Sequence, residues 1–218
     1  MNRIADNTTF SSNIHFVDRK TFDKIAKGLE INQALPSKRI GKADEFYTKD
    51  VRTCTAGGFV FDKSPSTPVG FHFLNYIENL WNSQQLVSDV VSKFDSKPKN
   101  GLLFGSKIFD YYSASTNRQY SVPLFDALRN GFSAVVENLS LFESHKKLTA
   151  QTHYYYNKAT DTHYLCAESF EKENKSKSVT NLKGLLAFYK NISIAKTDKL
   201  FIKDKEISKD QAPHIFAA

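Results

Sequence analysis

A chain of 218 residues, 40% hydrophobic and 24% charged, is long enough to bury a core without disulfide or metal staples. Its two cysteines exclude a disulfide scaffold and a structural zinc site of the four-cysteine or zinc-finger kind, and the lack of a GxxxxGK run followed by Ser or Thr argues against a Walker-type ATPase. Thirty Lys and Arg against 23 Asp and Glu give a net charge of +7, and residues 171–218, with ten Lys and six acids, supply +4 of it. No run approaches the ~20 apolar residues of a bilayer span. The polar start MNRIADNTTFSSN lacks the apolar stretch of a secretory signal. The expected compartment is a reducing cytosol: the cytoplasm of the producing cell, or that of a host entered through a dedicated secretion system.

In chain order, residues 1–20 read as a loosely ordered polar arm. Thr21 opens a first helix with Phe22, Ile25 and Leu29 at helical spacing; Pro36 ends it, and Ser37 to Lys42 form a basic loop. TCTAGGFVFD and VGFHFLN predict two strands joined by a turn-rich KSPSTP. Ile77, Leu80, Trp81, Val87, Val90, Val91 and Phe94 recur at helical spacing over residues 76–94. GLLFGSKIFDYYS (101–113) predicts one or two strands. Pro123 then stands in the first turn of a helix whose apolar stripe is Phe125, Leu128, Phe132, Val135 and Leu139. THYYYN and THYLCAE form a hairpin around KATD, and EKENKSKS (171–178) is a charged linker. Leu182, Leu185, Leu186 and Tyr189 predict a last helix, and KLFIKDKEI a last strand or hairpin. Hairpins interleaved with helices define a mixed α/β fold rather than a doubly wound one.

Chemistry has few places to reside. The only thiols are Cys54 and Cys166, and a nucleophilic thiol needs a nearby base. Cys166, in mid-strand, reads as a buried small hydrophobe. Cys54 opens a strand, with Gly57 and Gly58 just behind it, small neighbours that would leave room for a substrate and for backbone N–H groups to face an oxyanion. His72 faces away from Phe71 and Phe73 and shares its side of the strand with Gly70.

The segment from Thr48 through Cys54 to Asp62, followed by Val-Gly-Phe-His72-Phe-Leu, resembles the chemoreceptor glutamine deamidase CheD and the wider superfamily that includes the cytotoxic necrotizing factor toxins. That pattern has a Thr, a Cys six residues later, and a Gly-x-His strand some eighteen residues beyond. Likeness to CheD extends more weakly over residues 45–168. It implies a mainly antiparallel sheet or β-sandwich core flanked by helices. The implied layout is an arm and helix in 1–44, a deamidase-like core in 45–170 and a basic helix and strand extension in 171–218. The family carries a small residue before its nucleophile, where this chain has Arg52 and Thr53. With the basic extension, that difference fits a diverged toxin or effector-type member.

The resemblance implies a mechanism. Cys54 attacks a glutamine carboxamide on a protein substrate, a host protein in the effector case. His72 moves the proton, and Thr48 orients His72 through its hydroxyl or its carbonyl. Water completes deamidation, or an amine gives transglutamination. No metal or organic cofactor is implied, and nucleic acid is not the expected partner.

One geometric tension follows from the strands themselves. A regular hairpin with residues 63–68 as its loop sets Cys54 opposite position 77, which leaves His72 ~17 Å away along the strand. Contact therefore requires a larger, asymmetric loop, strands that are not neighbours, or a bulge. Two alternatives stand beside the deamidase. One is another Cys–His protease or amidase whose base is His145, His153 or His163. The other is a non-catalytic module, either an adaptor or a nucleic-acid surface made from the basic tail and Tyr154, Tyr155, Tyr156 and Tyr164.

Overall fold

Two mixed sheets packed face to face organise the chain. The computed structural model describes residues 12–62, 66–106, 109–113, 117–122, 124–145, 150–170 and 176–216. The elements are β1 (Asn13–Phe16), α1 (Arg19–Ile25), β2 (Leu29–Glu30), β3 (Ile40–Lys42), β4 (Glu45–Val51), β5 (Cys54–Val60), β6 (Val69–Leu74), α2 (Ile77–Trp81), α3 (Ser83–Val91), β7 (Asn100–Ser106), β8 (Phe109–Ser113), β9 (Arg118–Val122), α4 (Leu124–Ser133), β10 (Asn138–Ser144), β11 (Ala150–Asn157), β12 (Thr162–Phe170), β13 (Ser176–Ser178), α5 (Leu182–Phe188), β14 (Tyr189–Ser193), β15 (Lys199–Ile202) and β16 (Lys205–Ile207). The first sheet runs β16-β15-β1-β12-β11-β4-β2, with β13 also on β12; the second runs β14-β10-β7-β5-β6-β3; β8 and β9 pair separately.

Side-chain alternation explains the layering. Ala56, Leu102 and Phe104 of the second sheet meet Phe46, Tyr154, Tyr156 and Leu165 of the first in one buried core. The intervening residues Phe59, Phe71, Phe73 and Leu103 point the other way, onto Val90 of α3 and Leu124, Phe125, Leu128 and Phe132 of α4. With both faces covered, β5 and β7 are buried along their whole length, so they read as continuous apolar runs without polar alternation. On the outside of the first sheet, Phe22 of α1 packs on Tyr155 and Cys166. Removing a fully buried phenylalanine such as Phe132 from this arrangement costs about 3–5 kcal/mol.

The mixed sheet core with flanking helices is present, and antiparallel pairings outnumber parallel ones among the described residues. Several local expectations change. Residues 13–16 of the expected polar arm form an interior strand, parallel to both β12 and β15; residues 1–11 lie outside the described ones. The first helix starts at Arg19, because the Asp18 carboxylate accepts the Thr21 N–H at 2.8 Å and caps it. Leu29 lies beyond that helix, in β2. The expected basic loop contains β3, which pairs with β6. The single helix expected over 76–94 is two, α2 and α3, separated by Asn82. The α4 helix is present from Leu124, and Pro123 lies outside the described residues. Leu139 belongs to β10, a strand whose apolar residues continue the α4 stripe closely enough to read as helix. The charged linker contains β13, and 171–175 lie outside the described residues. The C-terminal segment is woven into both sheets: β14 extends the second, and β15 and β16 extend the first.

Candidate active site

At one end of the sandwich the chain passes from β4 in the first sheet to β5 in the second through only Arg52 and Thr53. Asp50, at the approach to this corner, has φ 57, in the left-handed region. Cys54 is thereby the first residue of its strand. In the antiparallel pairing of β5 with β6, Cys54 faces Leu74 and Ala56 faces His72. Cys54 and His72 are thus diagonal neighbours on one face, roughly 7–8 Å apart, and no hydrogen bond joins them among the described residues.

The register resolves the geometric tension. β5 ends at Val60 and β6 begins at Val69, so the connection is longer than the 63–68 loop. Cys54 consequently falls opposite residue 74 instead of 77. The two strands are direct neighbours, and no bulge is needed.

The shared face is the interior between the sheets. There the Thr48 hydroxyl of β4 lies 2.7 Å from His72 Nδ1, a hydrogen bond from one sheet to the other. Of the two Thr48 groups expected to meet the ring, it is the hydroxyl that does so. His72 Nε2 is buried without a hydrogen-bond partner among the described residues. In the tautomer that donates Nδ1–H to Thr48, the Nε2 lone pair is free.

Burial controls the electrostatics. Cys54 is 6% exposed and His72 3%. Burial pushes the Cys54 thiol up to about 12, opposed only by a hydrogen bond with Thr53. Burial likewise lowers His72 to about 3. The resting pair is a neutral thiol beside a neutral imidazole.

The expected room behind Cys54 is filled. A Cβ on Gly58 would stand 2.5 Å from the Tyr154 hydroxyl and 2.8 Å from Phe46 Cζ; one on Gly57 would stand 2.1 Å from the Leu102 carbonyl oxygen. These glycines let the sheets and strands approach closely and leave no substrate space. Cavities of about 520, 420, 480 and 330 Å³ among the described residues are lined by other segments, and Cys54 lines none of these four.

A polar clasp that the sequence does not announce supports the outer side of the same corner. The Asn75 carboxamide oxygen accepts the Thr55 hydroxyl at 2.8 Å, and its Nδ2 donates to the Ser106 carbonyl at 2.9 Å. It joins the ends of β5, β6 and β7 beside Cys54. Arg52 stacks over the Phe170 ring at 5.0 Å and donates to the Gln151 carboxamide oxygen at 3.2 Å, tying the corner to the first sheet. Only register and the inter-sheet packing bring these groups together, so no local motif marks them.

The remaining thiol and histidines lie elsewhere. Cys166 is fully buried on the outer side of the first sheet, opposite His153 in the β11–β12 register. His153 Nδ1 accepts the Asp50 N–H at 3.2 Å, so its proton is on Nε2, which donates to Glu168 at 2.9 Å. Glu168 also accepts from Arg19 and Gln151. This Cys–His–Glu grouping is sealed beneath Phe22. His163 is held at 2.8 Å to the Tyr154 hydroxyl. His153 and His163 are therefore engaged away from Cys54. Of the four tyrosines in the nucleic-acid alternative, Tyr154, Tyr155 and Tyr156 are buried and so unavailable for base stacking, and Tyr164 is half-buried.

The chain matches no protein-family model and no curated protein sequence. Among the described residues no helix is long and apolar enough to cross a membrane, and no three His, Cys, Asp or Glu side chains group as metal ligands.

Proposed function

We propose that the chain is a cysteine-dependent protein-glutamine deamidase acting through Cys54, His72 and Thr48. The observation that carries this reading is the Thr48–His72 hydrogen bond, with the unpartnered Nε2 of the same ring on the face it shares with Cys54. The order Thr, Cys, His along the chain is also that of the CheD-type deamidases it resembles. A buried polar atom left unsatisfied in a native structure calls for an explanation, and a general base awaiting a proton supplies one.

The chemistry balances without a cofactor. The Cys54 sulfur attacks the carboxamide carbon of a glutamine side chain as His72 Nε2 takes the thiol proton. Thr48 holds the ring through Nδ1, which stabilises the imidazolium that forms. His72 returns the proton to the departing nitrogen, and ammonia leaves a thioester. Water, deprotonated by His72, then attacks the thioester; glutamate departs and the thiol is restored. An amine in place of water gives a cross-linked amide instead. Burial keeps the resting pair neutral, so the proton moves only as the carbonyl is attacked, and substrate entry must open the corner around Cys54. The substrate is a protein, in the effector case a host protein.

Incubation with cell extract or candidate targets, followed by mass spectrometry for Gln-to-Glu conversion, tests the reading. Cys54→Ser should abolish conversion with an unchanged circular dichroism spectrum. Conversion that survives this change removes Cys54 from the mechanism.

A further inference from the structure

The cavity of about 520 Å³ at the Cys54 end of the sandwich is built largely by the C-terminal basic segment. Ala150, Val179 and Phe188 supply apolar lining, Ser169 a polar wall, and Lys177 and Lys183 its cationic side. Among the described residues no acidic side chain lines it. Lys183 is exposed on α5 and has no ion-pair partner among the described residues.

Register fixes how this cavity relates to the thiol. In the second sheet Thr55 pairs with Gly105, Gly105 with Glu143, and Glu143 with Asn191, while Ser144 pairs with Tyr189. Cys54, which opens β5, and Phe188, which precedes the first residue of β14, thus lie three strand spacings apart, about 14 Å. In the first sheet Val51 pairs with Thr152, and Arg52 grips Gln151 and Phe170, the neighbours of Ala150 and Ser169 in the cavity wall. Both sheets therefore place the cavity beside the corner that carries Cys54.

We infer that this cavity is the substrate-anchoring site: it takes an acidic segment with an apolar side chain from the protein substrate, about four extended residues from the glutamine that reaches Cys54. This inference rests on the deamidase reading for its choice of occupant. The apolar lining accepts the side chain, and Lys183 meets a flanking carboxylate. Lys183 disfavours a basic segment, so the site selects by charge as well as by shape.

Fluorescein-labelled synthetic peptides that carry Asp-Leu-Glu about four residues to either side of a single Gln test this against Lys-Leu-Lys counterparts, by anisotropy with the full chain. The acidic peptide should bind saturably, Lys183→Glu should weaken it by about tenfold, and the same variant should favour the Lys-Leu-Lys peptide. No saturable binding, or equal affinity of both peptides for both proteins, overturns the inference. Gln-to-Glu conversion on the same peptides separates the two claims. Binding that follows residue 183 without conversion upholds the anchoring site and ends the deamidase reading for these substrates. Conversion that ignores both the anchor sequence and Lys183→Glu ends the anchoring site and upholds the deamidase.

Discussion

Thr48 and His72 join the two sheets: the hydroxyl of a β4 residue lies 2.7 Å from Nδ1 of a β6 residue, inside the sandwich. Neither residue is near the other in sequence, and both are almost wholly buried. The bond fixes the ring so that its other nitrogen remains free on the face shared with Cys54.

Thr48→Val keeps the side-chain shape and deletes the hydroxyl, which leaves His72 Nδ1 unpaired. Denaturant unfolding should show a loss of about 1–3 kcal/mol. Thr48→Ser should recover most of it. Glutamine conversion should fall in the valine variant and return in the serine variant; equal activity in all three would separate Thr48 from the chemistry.

Thiol reactivity should reveal the burial of both cysteines. Burial pushes Cys54 and Cys166 up to about 12. Relative to an ordinary thiol at 9.0, the thiolate fraction near neutral pH falls by about three decades. Iodoacetamide labelling of the native protein should be slow by comparison with the unfolded chain. Peptide mapping should find Cys54 modified before Cys166, because Cys54 retains slight exposure and Cys166 none. The reverse order would argue against Cys54 as the nucleophile.

Gly105 has φ +151, and a Cβ there would stand 2.4 Å from the Cys54 carbonyl oxygen and 2.8 Å from Thr55 Cα. Those contacts are backbone and cannot rotate aside. Gly105→Ala should destabilise the protein by more than about 1 kcal/mol and displace the strand end that carries Cys54. A lower melting temperature, with altered NMR shifts at residues 54 and 55, would register both effects.

Asp198 gives the fold a pH dependence with a definite sign. It is 5% exposed, and burial raises its carboxyl to about 7 despite hydrogen bonds from Ser140 and the Ser12 N–H. Between about pH 4 and pH 7 the native state holds a proton that the unfolded chain has released, so this group's contribution falls as pH rises through that window. His72 and His163, both lowered to about 3 by burial, act oppositely: the native state loses stability as pH falls below about 6.5. Comparison with Asp198→Asn isolates the carboxyl. The variant should gain on the wild type by on the order of 3 kcal/mol between pH 4 and pH 8, measured by denaturant unfolding. A constant difference across that range would place the titration elsewhere.

Much of this protein is readable from local pattern. The β11–β12 hairpin is marked by two aromatic-containing runs around the turn residues KATD, and α4 by Phe125, Leu128 and Phe132 at helical spacing. The β5 and β6 strands are equally plain, and on β6 the glycine and histidine fall on one face because side chains alternate. These features depend on residues a few positions apart, which is the range over which a sequence specifies conformation directly.

Tertiary structure decided the rest. β1 is too short to be distinguished from a polar arm until β12 and β15 pair with it on either side. β10 continues the apolar rhythm of α4, and only pairing with β7 and β14 makes it a strand. The Cys54–His72 relationship depends on register across a connection whose length the residues do not announce, and a shift of three positions separates diagonal neighbours from a distance of ~17 Å. The Thr48 hydrogen bond needs two sheets to pack face to face. Hydrogen bonding and packing between distant segments carry no periodic signature of their own, so those contacts exist only once the whole chain has folded.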